Sequence, residues 1–149
     1  MRGNITIFWP MIVQALLTMA VYFVMFARRK SAVATGQAKP GDFRTPAVEP
    51  AASSTAVRNI ANQYELPVLF YVVCLSLYVT NGAHWLAVIL AWVFAISRIL
   101  HAFVHLGSND LRLRMPAFAV GFIAVLVLWL ILAFHVFNVV GALEAAVAA

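Results

Sequence analysis

Polar and charged side chains recur at helical spacing in two places within otherwise apolar parts of the sequence. The first set stands at positions i, i+4 and i+7 and consists of Arg58, Asn62 and Glu65. The second set stands at positions i, i+3 and i+7 and consists of Arg98, His101 and His105. Residues with these spacings share one face of an α-helix. Each set is therefore predicted to form a polar stripe along one helix.

The residue types in these stripes are suited to binding a charged small molecule. Arginine guanidinium groups bind carboxylates through paired hydrogen bonds, and a carboxylate accepts hydrogen bonds from an ammonium group. The stripes contain one carboxylate, Glu65, and two arginines, Arg58 and Arg98. The alternative is a buried network that only fixes helix packing, for example through an ion pair between Glu65 and Arg98. The excess of positive charge favours a site for an anionic ligand.

The elements that carry these stripes are apolar enough to cross a membrane. Of the 149 residues, 64% are hydrophobic and only 10% are charged, which is far from the composition of soluble domains. Four apolar stretches, each long enough to cross a ~30 Å hydrocarbon core as a helix, cover residues 5–27, 57–80, 84–106 and 116–140. The sequence predicts a single all-α transmembrane domain over residues 1–149, an up-and-down four-helix bundle surrounded by membrane lipids.

The links between the predicted helices indicate their direction in the membrane. Residues 28–56 are rich in Lys, Arg, Gly and Pro, which predicts an extra-membrane loop. Most basic residues lie in this loop or in the link before the fourth helix, which holds Arg112 and Arg114. Because basic loops face the cytoplasm, both loops are predicted to be cytoplasmic and both termini to lie outside. This topology explains the net charge of +5, so no nucleic-acid partner is predicted.

The two polar stripes are predicted to meet near the cytoplasmic side. The second helix begins at the first basic loop and the third helix ends at the second basic loop, so both stripes lie in the same half of the membrane. In this half, His101 and His105 have a spacing that metal-binding pairs can show. No third histidine or cysteine is predicted at the same depth, so no metal site is predicted. The single cysteine, Cys74, lies in an apolar run and is predicted to be a buried small hydrophobe.

Two motifs in these stripes resemble a known family. The second helix begins with Arg58-x3-Asn62-x2-Glu65 followed by Pro67, and the third helix carries Arg98-x2-His101. This pattern resembles the signature of the MAPEG superfamily, the membrane-associated proteins of eicosanoid and glutathione metabolism. The similarity covers residues 57–137, and the residues after Glu65 look most like the uncharacterised bacterial branch of the superfamily.

The resemblance implies a homotrimer in the bacterial inner membrane, with glutathione bound as a co-substrate between neighbouring subunits at the cytoplasmic side. Transferred to this sequence, the glutathione-binding residues would be Arg58, Asn62, Glu65, Arg98, His101 and His105. Many catalytic members have a tyrosine where this chain has His105. Arg114 falls where related synthases place an arginine near the thiol. The resemblance therefore implies that Arg114 is the catalytic residue and favours the thiolate form of glutathione.

The function implied by the resemblance is a membrane-bound glutathione transferase or peroxidase. Such an enzyme acts on lipophilic electrophiles by thiolate attack. Two alternatives stay open at this point. One is a non-catalytic lipid- or glutathione-binding protein of the same superfamily, and the other is a small multidrug transporter, which also has four helices and a lone membrane glutamate.

Overall fold

The computed structural model describes residues 3–44 and 49–148, and this part of the chain is helical without any strand. Its α-helices are α1 (Phe8–Ala34), α2 (Ala51–Gln63), α3 (Leu66–Val79), α4 (Trp85–Leu106) and α5 (Leu111–Ala148). A 3₁₀ turn at Ile5–Ile7 leads into α1, and a second one at Pro40–Arg44 lies in the first loop. The part of the predicted loop at residues 45–48 lies outside the described residues.

These helices form four membrane-spanning segments, because α2 and α3 together make one bent span. Among the described residues, the segments that are long and apolar enough to cross a membrane are Ile5–Ala34, Ala51–Val79, Trp85–Leu106 and Leu111–Ala148. The prediction of an all-α, membrane-spanning four-helix bundle is therefore confirmed. The predicted homotrimer stays a prediction.

The first loop is shorter than predicted, because helices take up residues at both of its ends. Helix α1 continues to Ala34 instead of ending at residue 27. The basic residues in its last turns do not interrupt it, since Arg28 donates hydrogen bonds to the Thr55 hydroxyl and to the Leu106 carbonyl at the end of α4. Helix α2 begins at Ala51, directly after Pro50, instead of at residue 57. Arg28 thereby ties three spans together at one end of the bundle.

The last helix is longer than predicted at both ends. It begins at Leu111 instead of residue 116, because the Asp110 carboxylate accepts a hydrogen bond from the main-chain N–H of Arg112 at 2.8 Å and caps the helix there. Pro116 therefore lies in the second turn of α5 and not in the first. At its other end α5 continues past Gly141 to Ala148, where the alanine-rich sequence favours a helix.

The second span is interrupted at Tyr64 and Glu65, between α2 and α3. Pro67 explains the interruption, because it has no N–H to donate to the carbonyl four residues earlier. The N–H of Tyr64 donates instead to Ala61 at 2.9 Å, and the new helix starts with Val68 donating to Glu65 at 3.2 Å. The prediction of one continuous helix over residues 57–80 is therefore wrong at this point.

The apolar core lies mainly between α3, α4 and α5. Phe70 of α3 stacks on Phe94 of α4, with 4.1 Å between the ring centroids, and Leu128 of α5 is fully buried in the same cluster. Cys74 is buried in this core as a free thiol, as predicted. Large apolar side chains cover the outside of every span, which is the surface expected for a protein in contact with lipid.

Candidate functional site

A polar cleft lies between the C-terminal part of α2, the end of α4 and the start of α5. One cavity of about 260 Å³ is lined by Arg58, Ala61, Asn62, Glu65, His105 and Arg114. A neighbouring cavity of about 230 Å³ is lined by Asn62, Glu65, His101, Arg114, Met115 and Phe118. The two cavities share three residues, so we treat them as one site and call it the polar cleft.

The polar cleft gathers most of the residues that the sequence singled out. Those that line it are Arg58, Asn62, Glu65, His101, His105 and Arg114. The two stripes therefore meet, although the helix carrying the first of them is interrupted before Glu65. Arg98 does not line either cavity and lies behind the cleft, fully buried. The binding and catalytic roles of these residues stay predictions.

Arg98 bonds to the main chain rather than to a carboxylate. Its Nη2 donates a hydrogen bond to the main-chain oxygen of Asn62 at 3.0 Å, and its guanidinium lies 5.8 Å from the centre of the Phe118 ring. Within the described residues, Nε and Nη1 of Arg98 are buried without a hydrogen-bond partner. The ion pair with Glu65, which belonged to the alternative of a purely structural network, is not formed, since the one ion pair within 4.0 Å in the described residues joins Arg29 to Glu49. The end of α2 frees the Asn62 carbonyl, and Arg98 satisfies that acceptor instead.

The two histidines of α4 lie between Arg98 and Arg114. His101 Nδ1 is 3.3 Å from the main-chain oxygen of Arg114. A carbonyl only accepts, so Nδ1 carries the proton and Nε2 of the neutral ring is an acceptor. The His101 and His105 rings meet edge to face with 5.6 Å between their centroids. In the described part of the chain, Nε2 of His101 and Nδ1 of His105 are buried without partners.

Arg114 is held by Asn109, a residue that was not predicted to belong to the site. Its Nη1 donates a hydrogen bond to Oδ1 of Asn109. Asn109 has a φ of 53°, in the left-handed region that asparagine tolerates better than most residues, and its N–H donates to the Val104 carbonyl at 2.7 Å. Asn109 therefore closes α4 with its main chain and orients the Arg114 guanidinium with its side chain. The only indication of this contact in the sequence was an asparagine, Asn109, in the short link before Arg114.

The electrostatics of the site favour an anion. Arg58 and Arg114 line the cleft and Arg98 lies directly behind it, while Glu65 is the one carboxylate among the lining residues. These charges lie at the edge of an apolar bundle, where charge interactions are stronger than in bulk water. No group of three or more His, Cys, Asp or Glu side chains that could hold a metal ion occurs within the described residues.

A chain of buried amides supports the cleft from the side of α1. Gln14 Nε2 donates to Gln63 Oε1 at 2.7 Å, and Gln63 Nε2 donates to Asn59 Oδ1 at 2.9 Å. All three side chains are buried. They fix the last turn of α2, next to the point where the second span is interrupted. Neither Asn59 nor Gln14 was predicted to belong to the site, although the position of Gln14 in a long apolar helix was an available signal.

The first loop is fastened to α1 and α2 by an ion pair. Arg29 donates from Nε and Nη2 to the two oxygens of Glu49, at 2.9 and 2.6 Å, and the Ser53 hydroxyl donates to Glu49 at 2.6 Å. The guanidinium of Arg29 also lies 5.0 Å from the centre of the Phe43 ring. The hydrogen bonds from Arg29, helped by that from Ser53, hold the pKa of Glu49 below its usual range, although partial burial acts in the opposite direction.

Comparison with known proteins gives one match. The sequence matches the model of the MAPEG family over residues 7–134, which is most of the chain. This range contains every residue of the polar cleft, together with Arg98 and Asn109. No curated protein and no solved structure matches the chain.

Proposed function

The chain belongs to the MAPEG family and is an integral, multi-pass membrane protein, and from this premise we propose that it is a glutathione-dependent transferase or peroxidase. It acts on lipophilic electrophiles that reach the site from the bilayer, and the attacking group is the glutathione thiolate. One observation carries this proposal: a buried arginine with unpartnered nitrogens bonds to the main chain of Asn62, which lines a cleft that has two further arginines and a single carboxylate.

The charges of the site complement those of glutathione, which has two carboxylates, an ammonium group and a thiol. Arg58 and Arg98 each suit one carboxylate, because a guanidinium group binds a carboxylate through paired hydrogen bonds. For Arg98 the fit is supported by Nε and Nη1, which have no partner in the described residues. A buried donor without a partner costs about 1–3 kcal/mol of stability, and more when it is charged. A carboxylate that accepts hydrogen bonds from these nitrogens of Arg98 therefore removes this cost. Glu65 suits the ammonium group.

The size of the site is also compatible with a tripeptide. The two cavities, of about 260 and 230 Å³, share Asn62, Glu65 and Arg114. Together they fall within the range of roughly 300–1,000 Å³ that is usual for small-ligand sites. His101 and His105 line opposite parts of the cleft and supply ring nitrogens that have no partner within the described residues.

The catalytic role that we assign to Arg114 is stabilisation of the thiolate. A free cysteine thiol has a pKa of about 8.5, and an adjacent arginine lowers it toward neutrality. The electron pair of the thiolate then forms the new bond to the electrophilic atom, and the bond to the leaving group, where there is one, breaks toward that group. Arg114 stays protonated throughout, so its contribution is electrostatic. Asn109 and His101 keep it in place by contacts to its side chain and main chain.

We further propose that the protein is a homotrimer in the bacterial inner membrane, with the basic loops in the cytoplasm and both termini outside. The support for this orientation is the concentration of Lys and Arg at the end of α1, in the first loop and at the start of α5. In this orientation the polar cleft opens toward the cytoplasm, where it meets glutathione. The lipophilic co-substrate enters from the membrane.

Glutathione titration into the purified protein in detergent tests the proposal. We expect saturable binding by calorimetry and an increase in thiolate absorbance near neutral pH. Arg114→Ala should keep binding and lose the thiolate signal. Arg112→Ala is the matched control, because Arg112 lies on the first turn of the same helix but does not line the cleft. Absence of binding at millimolar glutathione contradicts the proposed function.

The alternative functions predict different outcomes of the same titration. A non-catalytic binding protein binds glutathione or lipid without forming a thiolate, and its behaviour does not change in Arg114→Ala. A multidrug transporter needs Glu65 accessible to its substrate, and that function gives no account of the arginines that share the site with this glutamate. The arginines therefore favour the glutathione-dependent function.

A further inference from the structure

A second cavity lies at the end of the bundle opposite the polar cleft. It has a volume of about 470 Å³ and is lined by Gly82, His84, Val127, Leu130, Ile131, Phe134, His135 and Asn138. We call it the outer cavity. Its size falls within the roughly 300–1,000 Å³ of known small-ligand sites, and it has their usual character, with apolar walls and a few polar groups.

The ring of His135 is fixed by its neighbours. Its Nε2 lies 2.8 Å from the main-chain oxygen of Thr80, which follows the last residue of α3. Because a carbonyl only accepts, Nε2 carries the proton, and Nδ1 of the neutral ring is left as an acceptor. Gly82 makes room for the ring, since a Cβ at this position would lie 2.7 Å from His135 Cδ2. His135 thus presents a defined acceptor rather than a freely rotating ring.

Asn138 adds a second acceptor to the same cavity. Its Nδ2 donates to the Phe134 carbonyl at 2.9 Å, so the oxygen of this amide is free to accept, as no described residue donates to it. The ring of His84 lies edge to face with that of His135, 6.3 Å between centroids. None of the described residues that line the cavity is a lysine, arginine, aspartate or glutamate. Two acceptors without a carboxylate favour a neutral donor over a cation.

The walls of the outer cavity come from one face of α5 and open toward lipid. Leu130 and Phe134 are 60% and 70% exposed in the single chain, so an apolar molecule dissolved in the bilayer can reach them. Trp85, also largely exposed, stands next to His84 in the sequence, as expected for a residue at the membrane–water interface. The cavity therefore has apolar walls for the hydrophobic part of a ligand and polar groups at the end that lies at the depth of the lipid headgroups.

We propose that the outer cavity binds a lipophilic molecule that carries a neutral hydroxyl group, of the alkylphenol class. The hydroxyl donates to His135 Nδ1 or to the Asn138 amide oxygen, and the alkyl chain lies along Val127, Leu130 and Phe134. The ligand is held without any covalent step. This inference does not depend on glutathione, because the outer cavity and the polar cleft share no residue.

Binding of para-hexylphenol to the protein in nanodiscs tests the proposal, measured by equilibrium dialysis against nanodiscs without protein. We expect saturable binding above the partition into lipid. Para-pentylanisole has the same molecular formula but no hydroxyl donor, and we expect it to bind about three- to tenfold more weakly, the factor that corresponds to one hydrogen bond. Saturating glutathione should not change either result.

Two leucine variants distinguish the cavity from the lipid-facing surface in general. Leu130→Trp fills the cavity and should abolish saturable binding, whereas Leu126→Trp, at a residue of α5 that is similarly exposed but does not line the cavity, should retain it. Both positions face outward, so neither change disturbs the core. The proposal is overturned if binding is not saturable, if the phenol and the anisole bind equally, or if Leu130→Trp binds like the unaltered protein.

Discussion

Arg98 donates a hydrogen bond from Nη2 to the main-chain oxygen of Asn62, 3.0 Å away, across the interface between α4 and α2. This bond connects the two motifs that the sequence presents separately. Pro67 interrupts the second span and leaves carbonyl groups near the end of α2 without helical donors. Arg98 supplies a donor to one of them and is buried as a result. The interruption and the buried arginine therefore depend on one another, and together they place Glu65 in the polar cleft.

Replacing Arg98 by lysine tests this double role. A lysine ammonium is a single point donor, so it cannot bond to the Asn62 carbonyl and also bind a carboxylate through a fork. We expect a loss of stability of about 1–3 kcal/mol and at least a tenfold loss of glutathione affinity. Thermal unfolding and calorimetry measure the two effects. Arg112→Lys, outside the cleft, should change neither, and full affinity in Arg98→Lys contradicts the assigned role.

Pro67→Ala tests whether the interruption itself is needed for binding. Alanine restores an N–H that can donate to the Gln63 carbonyl, so α2 and α3 can join into one continuous helix. Glu65 then turns with the helix and leaves its position in the cleft. We expect unchanged or slightly higher thermal stability and about tenfold weaker glutathione binding, the loss of one charged contact. Unchanged affinity would show that Glu65 does not contribute to binding.

Asn109→Gly separates the orientation of Arg114 from the shape of the link. Glycine keeps the left-handed backbone but removes the oxygen that accepts from Arg114 Nη1. With its arginine less well placed, the bound thiol should have a higher pKa, and the thiolate fraction at neutral pH should fall severalfold. Glutathione affinity should change by less than about threefold, since the lost hydrogen bond joins Asn109 to Arg114 and not to the ligand. Thiolate absorbance as a function of pH measures the pKa of the bound thiol and its thiolate fraction, and calorimetry measures the affinity.

Asn81→Gly is the control for this substitution. Asn81 also has a positive φ, 62°, and its side chain accepts a hydrogen bond from Gly3, but it lies in the turn between α3 and α4 at the other end of the bundle. The two variants remove the same atoms from the same backbone conformation. If both leave the thiol pKa unchanged, Asn109 is only a turn residue.

The sequence was sufficient to predict the spans and the main residues of the cleft, because both rest on local patterns. Arg58 and His105, for example, follow from helical spacing within apolar runs, where a polar group requires a partner. The partner of Arg98 could not be predicted, since it is a main-chain carbonyl that becomes available only where the helix is interrupted. The contact between Gln14 and Gln63 joins residues 49 positions apart, and spacing along one helix carries no information about it.

The ion pair at the first loop predicts a specific dependence of stability on pH. Because Arg29 lowers the pKa of Glu49 in the folded protein, this carboxylate contributes stability above its unfolded pKa of about 4.3. That contribution is lost as the pH falls through the lowered folded pKa. Glu49→Gln should therefore unfold a few degrees below the unaltered protein at pH 7. The difference should begin to shrink as the pH falls below the unfolded pKa of about 4.3, and it should be lost below the lowered folded pKa, where Glu49 is protonated in both states.

Thermal unfolding of both proteins across this pH range measures the effect, and Glu144→Gln is the control. Glu144 is exposed near the end of α5 and forms no ion pair within the described residues, so its removal should leave the pH profile unchanged. A constant difference between Glu49→Gln and the unaltered protein at all pH values would mean that the charge of Glu49 does not stabilise the fold. In that case the loop is held by Phe43 and the other apolar contacts, and the contact of Arg29 with the Phe43 ring becomes the interaction to remove next.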